Sequence, residues 1–136
     1  MTVGVIIVFE GKVLLVKGDV EEGIEETYGL PAGKVEEGES LKAAAVRELF
    51  EETGLTVTED GLEKMPTEYE AQIDRKGDSV LMHLTVFKCL DFKGGILFMF
   101  GEETTPEWVE IDNVANLKLL PNVDKIIKEF LDTANN

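Results

Sequence analysis

Cationic residues are scarce in this chain: 13 lysines and arginines stand against 28 aspartates and glutamates, leaving a formal charge of −15. Binding a nucleic-acid polymer relies on Lys and Arg neutralising successive phosphates, so this balance argues against such a partner. Anionic membrane surfaces are disfavoured for the same reason. Cysteine occurs once, as Cys89, which excludes an intramolecular disulfide and a zinc-binding cysteine set. Its apolar neighbours predict a buried thiol rather than a nucleophile. Histidine also occurs once, as His83 in SVLMHLTVF, where alternation sets it beside or opposite core residues in a structural or pocket-lining role. Long apolar runs are missing: MTVGVIIVFEGKVLLV is broken by Glu10 and Lys12 and lacks a basic lead, so neither a signal peptide nor a membrane span is expected. No repeat, linker or low-complexity tract appears. A cytoplasmic protein with a single domain over residues 1–136 is the expectation, its 43% hydrophobic content being enough for a core.

What is present reads as strands with two helices. TVGVIIVFE and KVLLVKG are β-branched runs that predict two antiparallel strands around a tight turn at Glu10, Gly11 and Lys12. DVEEGIEETYGLPAG, with three glycines and a proline, predicts a loop containing a short extended piece at residues 28–30. From Ser40, small or apolar residues at Leu41, Ala44, Ala45 and Leu49 recur with helical spacing, Ser40 is placed to cap and Gly54 to stop, so a helix over 40–53 follows. EKMPTEYEAQI and SVLMHLTVFKCLDF flank the polar turn Arg75-Lys76-Gly77-Asp78 and predict two more strands; PEWVEI predicts another, followed by a short helix at DNVANL. PNVDKIIKEFLDTA predicts a closing amphipathic helix. The fold class is therefore α+β, an α/β/α sandwich with a mixed or antiparallel sheet flanked by helices.

The chemistry is concentrated in GKVEEGESLKAAAVRELFEETGL, residues 33–55. At about 100° per residue, Glu48 and Glu52 lie about 40° apart on the helix and Glu51 about 60° to the other side of Glu48, so all three share one face. Like charges at this spacing destabilise a helix by a few tenths of a kcal/mol per pair. A hard divalent cation reverses that sign, since carboxylate and carbonyl oxygens suit Mg²⁺ or Mn²⁺. The opposite face, through Leu41, Ala44, Ala45 and Leu49, is expected to hold the helix against the sheet. Arg47, with Glu39 before the helix and Glu51 four residues on, is placed to orient the acids. The other EE pairs (21–22, 25–26, 36–37, 102–103) read as solvated surface.

The full pattern is Gly33, five residues, Glu39, seven residues, Arg47-Glu48-Leu49, one residue, Glu51-Glu52, one residue, Gly54-Leu55. Chance agreement with it in this Glu-rich composition is on the order of one in a million. With no departure at a fixed position, it resembles the signature of the Nudix hydrolases, and the order of elements around it is similar to that family over most of the chain. The resemblance implies a Nudix fold and Mg²⁺- or Mn²⁺-dependent hydrolysis of a nucleoside diphosphate linked to another group. It implies that Glu48 and Glu52 bind metal most directly, that Glu51 ligates a second ion or acts through water, and that the backbone carbonyl of Ala32 or Gly33 completes the site. Glu39 and Arg47 would stabilise the loop–helix–loop. Divalent ions bound by these acids would also make an acidic cleft locally positive towards an anionic substrate.

Water must be deprotonated or positioned. Members of the family use either a helix glutamate or a carboxylate from a later loop, and in FGEETTPEWVEI either Glu102 or Glu103 is favoured as that additional acid. Tyr28, Phe98 and Phe100 are candidates for lining the cleft or stacking a base, with Trp108 read as more structural; Arg75 and Lys76 are candidates for a distal phosphate. A short chain without further subgroup motifs looks most like the MutT-like members that cleave a (d)NTP or modified nucleotide to the monophosphate and pyrophosphate. ADP-ribose or another nucleotide-sugar is the alternative; a nucleotide sensor without turnover and an acidic interaction protein are the readings from other classes. Family members are often homodimers, so pairing of two copies is an open expectation.

Overall fold

The computed structural model describes residues 1–18, 27–75, 78–94 and 104–134. Its strands are β1 (Thr2–Ile6), β2 (Val8–Phe9), β3 (Lys12–Gly18), β4 (Tyr28–Gly29), β5 (Ala32–Lys34), β6 (Leu62–Arg75), β7 (Asp78–Cys89) and β8 (Thr104–Glu110). Its α-helices are α1 (Leu41–Thr53) and α2 (Val123–Ala134), with short 3₁₀ turns at Glu59–Gly61 and Ile111–Asn116. The strands form two four-stranded sheets. One has the order β5-β1-β7-β6 and is mixed, because β1 runs parallel to β7 and antiparallel to β5. In the other, β3 pairs antiparallel with β2 and β4 along one edge and with β8 along the other.

The expected first hairpin is real but shorter than the apolar run suggested. Only Val8 and Phe9 fold back on Val13 and Lys12, around a turn in which Glu10 (φ 52°) and Gly11 (φ 77°) both take the left-handed conformation. Residues 2–6 belong instead to the other sheet, so one uninterrupted run of Val and Ile feeds two sheets. The reason is burial on both faces, which removes the polar alternation that would mark the switch. Val3, Val5 and Ile7 join Leu14, Phe87 and Cys89 in a core under Ala44, Ala45 and Leu49 of α1. Ile6, Val13, Leu15, Leu84 and Val86 face the other way, into a core closed by Ile126 and Ile127 of α2. Helices on opposite faces of strands buried on both sides give the expected sandwich.

The β6–β7 hairpin pairs from Leu62↔Cys89 out to Arg75↔Asp78, with a register shift between Lys64 and Glu68. Across that irregularity the Glu129 carboxylate of α2 accepts from the Thr67 and Tyr69 hydroxyls and from the Thr67 N–H, tying the helix to the strand. Cys89 is buried as expected, and burial pushes its thiol pKa up. No helix among the described residues is long and apolar enough to cross a membrane.

Candidate active site

Helix α1 begins and ends where its local chemistry dictates. The Ser40 hydroxyl accepts from the Ala43 N–H at 3.1 Å, and Gly54 takes the left-handed conformation (φ 81°) with its N–H bonded to the Phe50 carbonyl. Which residues that helix turns towards the sheet differs from expectation. Counting about 100° per residue from Leu41, Glu52 lies about 20° to one side and Glu48 about 20° to the other, inside the arc bounded by the buried Ala44 and Ala45. The two glutamates are therefore on the sheet-facing side, not opposite it. The same count applied to the glutamates as well as to the apolar residues puts them on one side, so the expectation of opposite faces was wrong on residue spacing alone.

Strand β5 makes this inward placement tenable. At Gly33, paired with Val3 of β1, a Cβ would collide with the carboxylate of Glu48, so the absent side chain is the space that carboxylate fills. The ladder to β1 uses Pro31, whose carbonyl accepts from the Val5 N–H at 3.0 Å, and Val35, whose N–H donates to the Met1 carbonyl at 2.9 Å. By antiparallel alternation Gly33 also bonds to β1, while Ala32 and Lys34 turn their backbone groups away from it. Those outward groups meet α1: the Ala32 N–H donates to Glu52 Oε1 at 2.9 Å, and the Lys34 carbonyl accepts from Arg47 Nη2 at 3.0 Å. Of the two carbonyls the sequence left open, Ala32's is thus on the helix side.

Arg47 links the acids. Its Nε and Nη2 donate to the two oxygens of Glu39 at 2.8 and 2.9 Å, a bidentate pair, and Glu39 Oε1 also accepts from the Glu36 N–H at 3.1 Å. Its Nη1 donates to Glu48 Oε1 at 2.7 Å and reaches both Glu51 oxygens at 3.3 and 3.4 Å. The electrostatics follow. Hydrogen bonds from Arg47 first, then from the Glu36 N–H, hold the Glu39 carboxyl down to about 2, and Glu39 in turn holds Arg47 above its ordinary value. Burial pushes Glu48 up, against the opposing pull of Arg47.

The donor set fits a hard divalent ion, since it consists of carboxylate and carbonyl oxygens on a packed helix and an edge strand. Among the described residues, however, no three acidic, His or Cys side chains converge closely enough to hold an ion as they stand. Glu48 and Glu51 are engaged by Arg47, and Glu52 by the Ala32 N–H. Lys34 and Glu36, which complete the network, carried no sequence signal: Lys34 contributes a backbone carbonyl, and Glu36 lies in a variable stretch of the signature.

Other sequence candidates fall elsewhere. Tyr28 packs on the α2 side of the sheets and donates its hydroxyl to Glu107 at 3.3 Å, so its ring is not brought to the α1 glutamates. Trp108 packs in a three-ring cluster with Phe9 and Phe92, their centroids 6.3 and 5.8 Å from its own and 5.6 Å from each other, which agrees with its structural reading. His83 is not in the core; it is exposed on β7, its Nδ1 3.2 Å from Glu70 across the strand pair. Glu102, Glu103, Phe98, Phe100 and Lys76, together with the side chain of Arg75, lie outside the described residues.

The family model of the NUDIX domain matches residues 1–132. Over 110 residues the chain is 34% identical to the oxidized purine nucleoside triphosphate hydrolase of Danio rerio; the match covers 81% of this chain and 65% of that one, so the chain spans just under two thirds of that curated relative. Among solved structures, the mutator MutT protein from Bacillus halodurans is 30% identical with a TM-score of 0.73, covering 93% of this chain and 78% of that chain. The MutT NUDIX hydrolase from Burkholderia pseudomallei is 22% identical, with a TM-score of 0.75 over 94% and 95% of the two chains, and shares the fold. The chain belongs to the NUDIX hydrolase family.

Proposed function

We propose that the protein hydrolyses the diphosphate linkage of a nucleoside triphosphate or modified nucleotide, releasing the monophosphate and pyrophosphate, with Mg²⁺ or Mn²⁺ as cofactor. The observation that carries this reading is the inward placement of Glu48 and Glu52 on the backbone of Gly33 and Ala32. Inward carboxylates are costly to desolvate, which fits a binding role better than a structural one. Glu48 and Glu52, with the Ala32 carbonyl, would hold the ion, and Glu51 a second one; when bound, the ion supplies positive charge for the anhydride oxygens and acidifies water. Arg47, bonded to Glu39 and to the Lys34 carbonyl, ties the helix that carries the ligands to β5. Glu102 or Glu103 is the proposed carboxylate that takes the proton of the attacking water. Phe98, Phe100 and Arg75 are proposed for the nucleotide itself. The zebrafish relative, named for oxidized purine nucleoside triphosphates, favours a triphosphate over a nucleotide-sugar.

Incubation with Mg²⁺ and separate samples of dGTP, oxidised dGTP and ADP-ribose, followed by product analysis, tests this. Pyrophosphate with a nucleoside monophosphate is the expected outcome. AMP and ribose phosphate from ADP-ribose alone would transfer the assignment to nucleotide-sugars, and tight binding without turnover would make the protein a sensor.

A further inference from the structure

The guanidinium of Arg47 divides its bonds between two sets of partners. The Nε–Nη2 edge makes three bonds of 2.8–3.0 Å to Glu39 and to the Lys34 carbonyl. Neither partner belongs to the proposed metal-binding set, and neither is able to follow a moving side chain: Lys34 is fixed in β5, and Glu39 is held by the Glu36 N–H. The remaining nitrogen, Nη1, spans Glu48 and Glu51 with one short bond and two long ones. Those two carboxylates do belong to the set. One guanidinium is thus anchored along one edge while its opposite nitrogen occupies oxygens that a divalent ion would need.

We propose that Arg47 Nη1 is an internal cation that Glu48 and Glu51 give up when they take a divalent ion, while the Nε–Nη2 edge keeps its hold on Glu39 and Lys34. This rests on the metal-dependent reading above. The edge that opens is set by geometry. The Nη1–Glu51 contacts exceed the 2.7–2.9 Å typical of charge-assisted bonds, and Glu51 is nearly half exposed, so water screens them. Exchange costs one good bond, to Glu48, rather than the bidentate pair. Arg47 therefore acts as a positioning residue in two ways: it keeps Glu48 and Glu51 charge-compensated before the ion arrives, and it sets how tightly the ion is held.

The sequence contains only two arginines, Arg47 and Arg75, so a ¹⁵N-arginine-labelled sample gives few side-chain signals to assign. With Mg²⁺ alone added to the intact chain at low temperature, the Nη1 signals of Arg47 should shift while its Nε–H signal stays in place. Unmoved Nη1 signals at saturating Mg²⁺, or an Nε–H that moves as far as they do, would overturn the exchange. Calorimetry supplies a sign test: Arg47→Gln, which removes the competing cation, should bind Mg²⁺ about tenfold more tightly despite melting lower. Weaker binding by this variant would mean that Arg47 only positions the ligands and does not compete. If the unaltered protein takes up no Mg²⁺ at all, the metal-dependent reading itself fails; uptake with Arg47 unchanged removes this inference alone.

Discussion

The carboxylate of Glu48 occupies the position that a side chain at Gly33 would need. This one contact ties an edge strand to the signature helix and explains why the residue at that point of β5 is glycine. Its conformational freedom is not at issue; the missing Cβ is.

Gly33→Ala should accordingly displace Glu48 rather than unfold the protein. A methyl group inserted there costs about 1–3 kcal/mol if the helix has to move, and less if Glu48 swings out towards solvent. In either case the proposed ligand leaves its place, and kcat should fall about a hundredfold or more. Activity together with a thermal melt checks this. Unchanged turnover in a folded Gly33→Ala protein would show that Glu48 is not needed where it lies.

The pH dependence of stability should carry a mark of Glu39. Its folded-state pKa is lowered from 4.5 to about 2 by Arg47 and the Glu36 N–H. A depressed carboxyl stabilises the fold fully above the unfolded value of 4.5, and that contribution disappears as pH falls towards 2. Glu48, raised by burial, works in the opposite sense, losing stability as pH rises through its own titration. Urea midpoints measured across the acid range should therefore rise with pH less steeply in Glu39→Gln than in the unaltered protein. Parallel curves would remove the Glu39–Arg47 pair as a source of stability.

Ser40→Ala should cost about 1 kcal/mol by leaving the Ala43 N–H without its cap. For a chain of this size that lowers the melting temperature by about 3–5 °C. Because the cap lies a turn or more before the glutamates, kcat in the folded protein should change little.

Much of this architecture was legible in the residues themselves. Ser40 and Gly54 delimited α1, Arg75 and Asp78 marked where β6 ends and β7 begins, and the spacing of Gly33, Glu39, Arg47, Glu48, Glu51 and Glu52 identified the family. One feature was not legible and one was expected wrongly. The split of the first apolar run between two sheets is hidden because Val and Ile are favoured wherever both faces of a strand are buried. The inward direction of Glu48 and Glu52 follows from the helical angle itself, which sets both between Ala44 and Ala45, against the expectation of an apolar face opposite the carboxylates. The third dimension supplies what compensates them: the gap at Gly33, the outward N–H of Ala32 and the fork of Arg47. None of these compensations is visible before β5 is known to pair with β1 in that register.

The central claim is that these inward glutamates hold a divalent ion, and titration calorimetry with Mg²⁺ and Mn²⁺ on the intact protein and on Glu52→Gln tests it most directly. Uptake by the intact protein that is strongly weakened in the folded variant, with kcat down about a hundredfold, is the predicted result. Equal uptake and equal turnover in the two proteins would contradict it.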